Sequence, residues 1–246
     1  MEYGISILLS GISLGGQYAL IAIGYTMVYG ILRLINFAHG DVFMAAGLIM
    51  VYLSASLPIG VALPLMILLT VLLGFVIERA AYKPLRSAPR MSVMISAIGV
   101  SYLLQNLATY ITGGLPQMYP SLPVLSNQIT IAGTSTKMVT VVTPILVVAL
   151  VIALTQLINH TKIGAAMRAA SRDFETAQLM GIKINNVISF TFVIGSLLAA
   201  VGSALYFTNY PLHRAAVRLP AGAAGLRGGG VSGGIGSIPG AWWGRF

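Results

Sequence analysis

The chain has 246 residues, of which 57% are hydrophobic and 8% are charged, and its 14 basic against 5 acidic residues give a net charge of +9. Soluble globular domains carry about 25% charged residues, so this composition excludes an ordinary soluble protein and predicts that lipid surrounds much of the chain. The basic residues are scattered between apolar runs, which argues against nucleic-acid binding, and the absence of cysteine excludes disulfides and cysteine-based metal sites.

Long uncharged runs predict the membrane-spanning segments. They cover residues 5–27, 42–77, 91–112, 138–158 and 187–208. As one helix, the second run would be about 54 Å long, well beyond a hydrocarbon core of about 30 Å. We therefore expect it to fold back, with Pro58, Gly60 and, just beyond them, Pro64 as the turn residues. The sequence predicts an all-α polytopic bundle of transmembrane helices with six recognisable spans.

Basic residues in the loops predict the orientation, because Lys and Arg are retained on the cytoplasmic side. Nine of them fall in alternate loops: Arg33, Arg79, Lys83, Arg86, Arg90, Lys162, Arg168, Arg172 and Lys183. The opposite loops up to residue 208 hold only Lys137. The N-terminus is thus expected outside. No Lys or Arg precedes the first apolar run, so we expect it to remain as a span and not to be cleaved as a signal peptide.

The outer connection, residues 113–137, contains three prolines and then an alternating stretch at residues 128–133. The alternation favours a short hairpin that covers the outer face, and a solvated loop is the other interpretation.

The tail has a different composition. Residues 212–246 contain four arginines, no acidic residue and no long apolar run, and the four arginines would lie on the outer side, against the rule that the other loops obey. We therefore divide the chain into a transmembrane domain, residues 1–210, and an atypical Arg/Gly/Ala-rich tail, residues 211–246. The tail is either a disordered end or the product of a shifted reading frame, and the second interpretation predicts an apolar span in another frame of the coding DNA.

Matches to catalytic motifs are weak. Gly11-Ile-Ser13-Leu-Gly15 has the spacing of a hydrolase nucleophile, but it lies within an apolar helical run and not at a strand-to-helix turn, so helix packing explains it better. The glycines of residues 228–233 lack the strand and helix of a dinucleotide site, and no phosphate-binding loop with a G-x-x-x-x-G-K pattern occurs. We expect no catalytic residue, metal or cofactor in this chain, and therefore no enzymatic activity of its own.

Two polar segments stand out between the spans. Residues 33–41 place Asn36, His39 and Asp41 at the edge of the second span, where they are costly in lipid and are expected to face a cavity, a partner or the interface. Asp41 is also placed to favour the dipole of the following helix, and both roles can hold. Together with Gly24 and Gly30, Asn36 predicts an interrupted helix near a translocation pathway.

The second segment, residues 161–181, predicts one short amphipathic helix on the cytoplasmic side. At about 100° per residue one face carries the small and apolar residues, namely Ala166, Ala170, Phe174, Ala177 and Gly181. The opposite face carries Arg168, Arg172 and Glu175, the last two at a spacing that allows an ion pair. A connector lying on the membrane surface and a docking helix are both consistent with this pattern.

These segments resemble a known family. Asn36-Phe-Ala-His-Gly-Asp41, with residues 19–30 before it, is similar to the N-terminal signature of LivH-type membrane permeases of branched-chain amino acid ABC importers. Residues 78–86, 98–106 and 168–173 resemble the same family, so the likeness covers residues 1–210. It returns at residues 233–241, while residues 212–232 and the end of the chain depart from it. The resemblance therefore implies that the C-terminal spans are missing or frame-shifted.

The resemblance also implies partners and roles. In this class a cytoplasmic Glu-Ala-Ala-x-x-x-Gly loop docks on the ATPase, and Glu175, Ala177 and Gly181 match it, with Thr176 in place of Ala at the second position of the motif. Arg168 and Arg172 belong to the same ATPase-coupling segment. ATP would be bound by separate ATPase subunits, a periplasmic binding protein would deliver the substrate, and a second permease subunit, identical or paralogous, would complete the pathway in the bacterial inner membrane.

The expected function is translocation of branched-chain or related hydrophobic amino acids. The pathway is predicted near Gly24, Gly30, Asn36, His39 and Asp41. Because the six predicted spans contain no Asp or Glu, the pore is expected to suit a zwitterion with an aliphatic side chain. A secondary transporter or channel of similar topology is the alternative, although ion coupling usually needs an embedded carboxylate and only Asp41 and Glu78 come close, at span ends.

Overall fold

The computed structural model of the protein describes residues 2–32, 36–86, 88–131 and 134–213. Within these ranges the secondary-structure elements are, in chain order, α1 (Glu2–Leu32), α2 (His39–Ser54), α3 (Ile59–Ile77), a π-helical segment (Glu78–Tyr82), α4 (Arg90–Thr112), β1 (Gln117–Met118), α5 (Pro123–Ser126), β2 (Gln128–Ile131), β3 (Thr134–Lys137), α6 (Met138–His160), α7 (Lys162–Arg172), α8 (Phe174–Leu179), α9 (Ile184–Asn209) and β4 (Leu212–His213). The protein is an all-α membrane bundle, as predicted.

Five of the six predicted spans lie on helices that are long and apolar enough to cross a membrane. They are α1, α3 with the π-helical segment, α4, α6 and α9. The remaining helix, α2, has 16 residues and is therefore only about 24 Å long, shorter than the hydrocarbon core. The structure thus confirms five of the six predicted spans by length and composition. The sixth, α2, stays a prediction, because the chain turns back after Ser54.

The turn between α2 and α3 lies where the sequence predicts it. Pro58 is extended and precedes α3, and its carbonyl accepts hydrogen bonds from the amides of Val61 and Ala62, each at 2.9 Å. Gly60 lies in the first turn of α3. Pro64 is not a turn residue, because it lies inside α3, where a helix can continue at the cost of one backbone hydrogen bond.

Helix α9 lies at the centre of the bundle and packs against α1, α2 and α3. Glycines allow the close approach: a Cβ on Gly195 would lie 3.4 Å from the carbonyl oxygen of Gly24, and one on Gly74 would overlap the side chain of Ser196. Small residues at such contacts let membrane helices pack backbone to backbone. The span of α9 is 72% buried, whereas that of α4 is 22% buried.

At the end of the bundle that carries the outer connection, β2 and β3 pair in antiparallel register from Gln128 opposite Lys137 to Ile131 opposite Thr134. This confirms the predicted hairpin. A second pair, which the sequence did not predict, joins β1 to β4 and places Gln117 opposite His213.

The single amphipathic helix predicted for residues 161–181 is wrong, because the structure divides it into α7 and α8 at Asp173. Asp173 is extended, and its carboxylate accepts hydrogen bonds from the amides of Glu175 and Thr176. Aspartate competes well for helix N-terminal amides, so it starts a new helix here and does not continue the first. The motif around Ser13 lies inside α1, and the tail from residue 214, with its proposed frame shift, lies outside the described residues.

Candidate functional site

The junction between α1 and α2 is organised by Asn36, which is 4% exposed. Its side-chain oxygen accepts hydrogen bonds from the amide of Ala38 at 3.1 Å and from the hydroxyl of Tyr82 at 2.8 Å. The amide of His39 in turn donates to the carbonyl of Asn36 at 3.2 Å. Asn36 therefore fixes the start of α2 and ties it to the π-helical segment.

His39, the first residue of α2, is wedged between α1 and α9. A Cβ on Gly24 would lie 2.8 Å from its Nε2, and one on Gly195 would lie 3.8 Å from its Cε1. Gly24 lies two turns before the end of α1, and Gly195 three turns after the start of α9, which places His39 about 12–16 Å from those helix ends. Helix α2 therefore begins at a level well inside the bundle. The predicted interruption does not fall at Gly24 or Gly30, because α1 continues through both glycines to Leu32.

Asp41, in the first turn of α2, is 3% exposed. One carboxylate oxygen accepts a hydrogen bond from the hydroxyl of Ser101 at 2.5 Å, and the other accepts one from the amide of Gln105 at 3.0 Å. The same amide lies 2.9 Å from the hydroxyl of Ser101. Ser101 and Gln105 are one turn apart on α4, so Asp41 both faces the amino-terminal dipole of α2 and joins α2 to α4.

Glu78 is the second buried carboxylate, with no exposed surface. It forms an ion pair with Arg86 and accepts a hydrogen bond from the hydroxyl of Ser189 at 2.8 Å, while Arg86 also donates to the side chain of Asn185. Burial lowers the pKa of Arg86, and the neighbouring Glu78 opposes that shift. We call these four residues the ionic cluster; it joins the π-helical segment, the loop before α4 and the start of α9.

These two carboxylates correct one part of the sequence interpretation. The predicted spans began after Asp41 and ended before Glu78, and so contained no acidic residue. In the structure Asp41 lies inside α2 and Glu78 continues α3 as a π-helical turn, and both side chains are buried. A hydropathy window ends a span before a charged residue. In the structure Asp41 and Glu78 can still be buried at the ends of their helices, because hydrogen-bond donors on neighbouring helices satisfy their carboxylates.

The first part of the predicted coupling segment, α7, is held against the end of α6. Its start is capped by Thr161, whose hydroxyl accepts a hydrogen bond from the amide of Gly164 at 3.0 Å, and a Cβ on Gly164 would overlap the backbone of Ile158. Arg168 donates to the carbonyl of Ile158. On the predicted apolar face Ala170 is buried and Ala166 is partly buried, and on the opposite face Arg168 and Arg172 are exposed, so this half of the pattern is confirmed. Met167, which was not predicted to lie on the apolar face, is also buried.

The second part, α8, presents an exposed surface. Ala177 is 5% exposed and faces the bundle. Glu175 is exposed, and so are Leu179 and Met180, which are 88% and 79% exposed. Gly181 ends the turn with a φ of 83°, a conformation that glycine adopts without strain. We call Glu175, Leu179 and Met180 the docking surface, after the docking role that the resemblance implies for this segment. Sequence reasoning missed Leu179 and Met180, although two consecutive apolar residues before a helix-ending glycine were the available signal.

Other details of α8 depart from the prediction. Asp173 separates Arg172 from Glu175, and in the part of the chain that the structure describes these two form no ion pair. A hydrogen bond from the hydroxyl of Thr176, at 2.5 Å, and those from the start of α8 hold the pKa of Asp173 below its ordinary value. The cap is therefore ionised at neutral pH.

A cavity of about 510 Å³ separates α8 from the bundle. Phe174 and Gln178 of α8 line one side of it, and Tyr82, Arg86 and Asn185 line another. The cavity thus lies between α8 and two members of the ionic cluster, Arg86 and Asn185. Helix α8 has room to move toward the bundle, and the side chains it would meet are those that join α3 to α9.

The structure brings the predicted site residues together in two groups. Arg168, Arg172, Glu175, Ala177 and Gly181 lie on α7 and α8 or directly after them. Gly24, Asn36, His39 and Asp41 surround the start of α2, whereas Gly30 lies apart, at a cavity of about 140 Å³ beside α7. Among the described residues, no group of three or more His, Asp or Glu side chains is placed to hold a metal ion.

Comparison with known proteins assigns a class to this architecture. The family described as "Branched-chain amino acid transport system / permease component" matches residues 7–244. The chain is 37% identical to the high-affinity branched-chain amino acid transport system permease protein LivH of Salmonella typhimurium, with 97% of this chain and 82% of that protein aligned. It is 36% identical to LivH of Escherichia coli over the same shares, and 37% identical to the permease protein BraD of Pseudomonas aeruginosa over 96% and 81%. No solved structure matches the chain.

Proposed function

Since the chain belongs to the family of branched-chain amino acid transport permeases, we propose that it is the membrane translocation subunit of an ATP-driven importer. The substrates are branched-chain or related hydrophobic amino acids. The observation that carries the coupling half of this proposal is the docking surface, where Ala177 holds α8 to the bundle while Glu175, Leu179 and Met180 stay exposed. Exposed apolar side chains rimmed by charge are typical of protein-protein interfaces.

The proposal includes partners that bind what this chain does not. Separate ATPase subunits bind and hydrolyse ATP, so the permease itself holds no cofactor and is not an enzyme. A second permease subunit, identical or paralogous, completes the pathway, and a periplasmic binding protein delivers the amino acid. The distribution of basic residues supports a docking surface in the cytoplasm and an N-terminus outside, in the bacterial inner membrane.

The geometry suggests how the motion travels. When the ATPase subunits close on ATP they push on the docking surface, and α8 moves into the cavity behind Phe174. Asn185 and Arg86 at the far side of that cavity are hydrogen-bonded to each other, and Arg86 is paired with Glu78. The push therefore reaches α3 and α9 together. Because α9 packs against α1 and α2, its movement changes the surroundings of the start of α2. The start of α2 is then the element with two states whose equilibrium the nucleotide must shift.

Uptake in a reconstituted system tests this function. The permease is reconstituted into proteoliposomes with its ATPase and permease partners, and the binding protein is added. These vesicles are expected to accumulate radiolabelled leucine only when ATP is present on the side of the membrane that carries the ATPase subunits. The matched control carries an ATPase that binds ATP without hydrolysing it. Accumulation driven by an ion gradient in the absence of ATP would overturn the proposal.

One observation favours the alternative, a secondary transporter or channel. The structure buries two carboxylates in or beside the spans, and ion-coupled transporters use such groups. Glu78, however, is already paired with Arg86, so only Asp41 is suited to that role. Asp41→Asn separates the two functions, because a secondary transporter would lose its dependence on the ion gradient whereas an ATP-driven permease has none to lose.

A further inference from the structure

Helix α4 combines a low mean hydropathy with little burial by the rest of the chain, and these two properties conflict if lipid covers its exposed surface. Among the five membrane-length helices of the described residues it has the lowest mean hydropathy, yet only 22% of its span is buried, as little as in α3 and less than in the other three. A helix that its own chain covers so little should be the most apolar if lipid covers the rest. Part of the exposed surface of α4 therefore faces something more polar than lipid.

The polar side chains on this surface form a strip. Tyr102, Asn106 and Thr109 project within about 60° of one another along the helix and are all exposed, and the partly buried Gln105 borders them. We call these four residues the polar strip. The surface beside it, turned by about 100–140°, carries Leu103 and Leu107, which are 64% and 49% exposed. Their apolar side chains are those that lipid contact requires.

The strip occupies one half of the span. Asn106 and Thr109 lie within two turns of Thr112, the end of α4 that leads to the β-hairpin, and Tyr102 lies near the middle. On the same side, the half toward the docking surface carries Met91, Ile95 and Ile98, which are exposed and apolar. A substrate that arrives at the end opposite the docking surface therefore meets the polar half first.

The buried edge of the polar strip is hydrogen-bonded to a carboxylate, Asp41. Gln105 and Ser101, at the buried edge of the strip, both donate hydrogen bonds to Asp41, at 3.0 Å and 2.5 Å. These bonds fix the rotation of α4 about its axis relative to α2. They also place a carboxylate behind neutral hydrogen-bonding groups, which makes the potential at the strip favourable for a cationic group without offering a permanent ion pair.

We propose that the polar strip lines the translocation pathway and hydrogen-bonds the ammonium and carboxylate groups of the passing amino acid, an inference that rests on the proposed function. Neutral amide and hydroxyl groups suit a zwitterion in transit, because they replace its lost water without holding it as a full charge would. The apolar side chains of Ile95 and Ile98, which follow toward the docking surface, fit the aliphatic part of the substrate.

The chain contains no cysteine, so single-cysteine variants report on one position each. Tyr102→Cys, Asn106→Cys and Thr109→Cys test the strip, and Leu103→Cys and Leu107→Cys are controls on the same helix at the same depth. Each variant is assembled with its partner chains in proteoliposomes, and a charged, membrane-impermeant methanethiosulfonate reagent is added with or without leucine-loaded binding protein and ATP. Incorporation into this chain is measured by mass spectrometry.

At the strip positions we expect labelling at least tenfold faster than at the two leucine positions, and slower when leucine is being transported. Equal rates at Asn106→Cys and Leu107→Cys would show that the strip faces lipid and would overturn the inference. Labelling that leucine does not slow, or disulfide formation with the second permease subunit in place of labelling, would show a subunit interface and would overturn it equally.

The two proposals fail in different ways. If the unmodified permease gives no ATP-driven leucine uptake, the proposed function is wrong, whatever the labelling pattern. If uptake is intact but the strip positions behave like their leucine controls, only the assignment of the strip is wrong. Co-purification of every variant with the ATPase subunits shows that the variant has folded before its labelling is interpreted.

Discussion

The ionic cluster offers a prediction whose size follows from burial. Arg86→Met removes the cation beside Glu78, which has no exposed surface and, among the residues that the structure describes, keeps only the hydrogen bond from Ser189. Stranding a buried charge costs about 3–5 kcal/mol. Since the side chain of Arg86 is itself 20% exposed, water relieves part of this cost, and we expect a loss near the lower bound, about 3 kcal/mol of the free energy of unfolding. At about 2–4 °C per kcal/mol, the unfolding midpoint falls by about 6–12 °C.

The double variant Glu78→Gln with Arg86→Met separates lost charge pairing from lost packing. Replacing a buried ion pair by neutral groups is often close to neutral, so the double variant is expected to recover at least half of the loss. Arg79→Met is the matched control: Arg79 is exposed and lies 5.9 Å from the ring centre of Phe75, a contact worth about 0.5–1 kcal/mol.

Thermal unfolding in nanodiscs, followed by circular dichroism, is measured for the unmodified permease, the single variants Arg86→Met and Glu78→Gln, their double variant and the control Arg79→Met. If the losses of the two single variants simply add in the double variant, Glu78 and Arg86 do not interact, and the reasoning from burial is refuted. A loss at Arg79→Met as large as that at Arg86→Met would refute it as well.

Three further predictions concern coupling, packing and pH. Glu175→Lys should reduce ATP-driven leucine uptake at least tenfold with an unchanged unfolding midpoint, because its side chain is exposed; unchanged uptake and ATPase co-purification would contradict the docking role. Gly24→Ala should lower the free energy of unfolding by about 1–3 kcal/mol, because the new methyl group would overlap His39, whereas Gly60→Ala, which meets open space, should not; equal midpoints would contradict the wedge. The folded-state pKa of Asp173 lies below its ordinary value of 3.8. Its cap on α8 should therefore be fully present above that value and be lost only as the pH falls through the lowered pKa. Helicity measured against pH for the unmodified protein and for Asp173→Ala tests this, and loss of the cap near neutral pH would contradict it.

Most of the fold follows from hydropathy, because length and apolarity decide which segments cross a membrane. The turn at Pro58 was predicted from the same reasoning. The length of α2 was not, since an uncharged run of 36 residues does not reveal how it divides. The break at Asp173 was also missed: aspartate is compatible with the helical period on the polar face, and only its hydrogen bonds to the next amides show that a helix begins there.

The candidate site was predicted in part for a similar reason. Residues 161–181 were singled out by their amphipathic period and by the family resemblance, and their coupling role stays a prediction. The partners of Asp41 and Glu78 were not, because Ser101 and Ser189 lie on other helices, and no sequence period records which helices pack together. The strand pairing of β1 with β4 is two residues long and joins distant segments, so it leaves no pattern that a sequence window can detect.

That strand pairing constrains the order of assembly. Residues 117–118 emerge from the ribosome well before their partners at 212–213, and the intervening chain includes α6 and α9. At a synthesis rate of about 5–20 residues per second, the first strand is without its partner for about 5–20 s. During that interval the segment after α4 has an open strand edge. The two strands can pair only once α9 has been inserted. Pairing of β1 with β4 would therefore mark a late step of correct insertion.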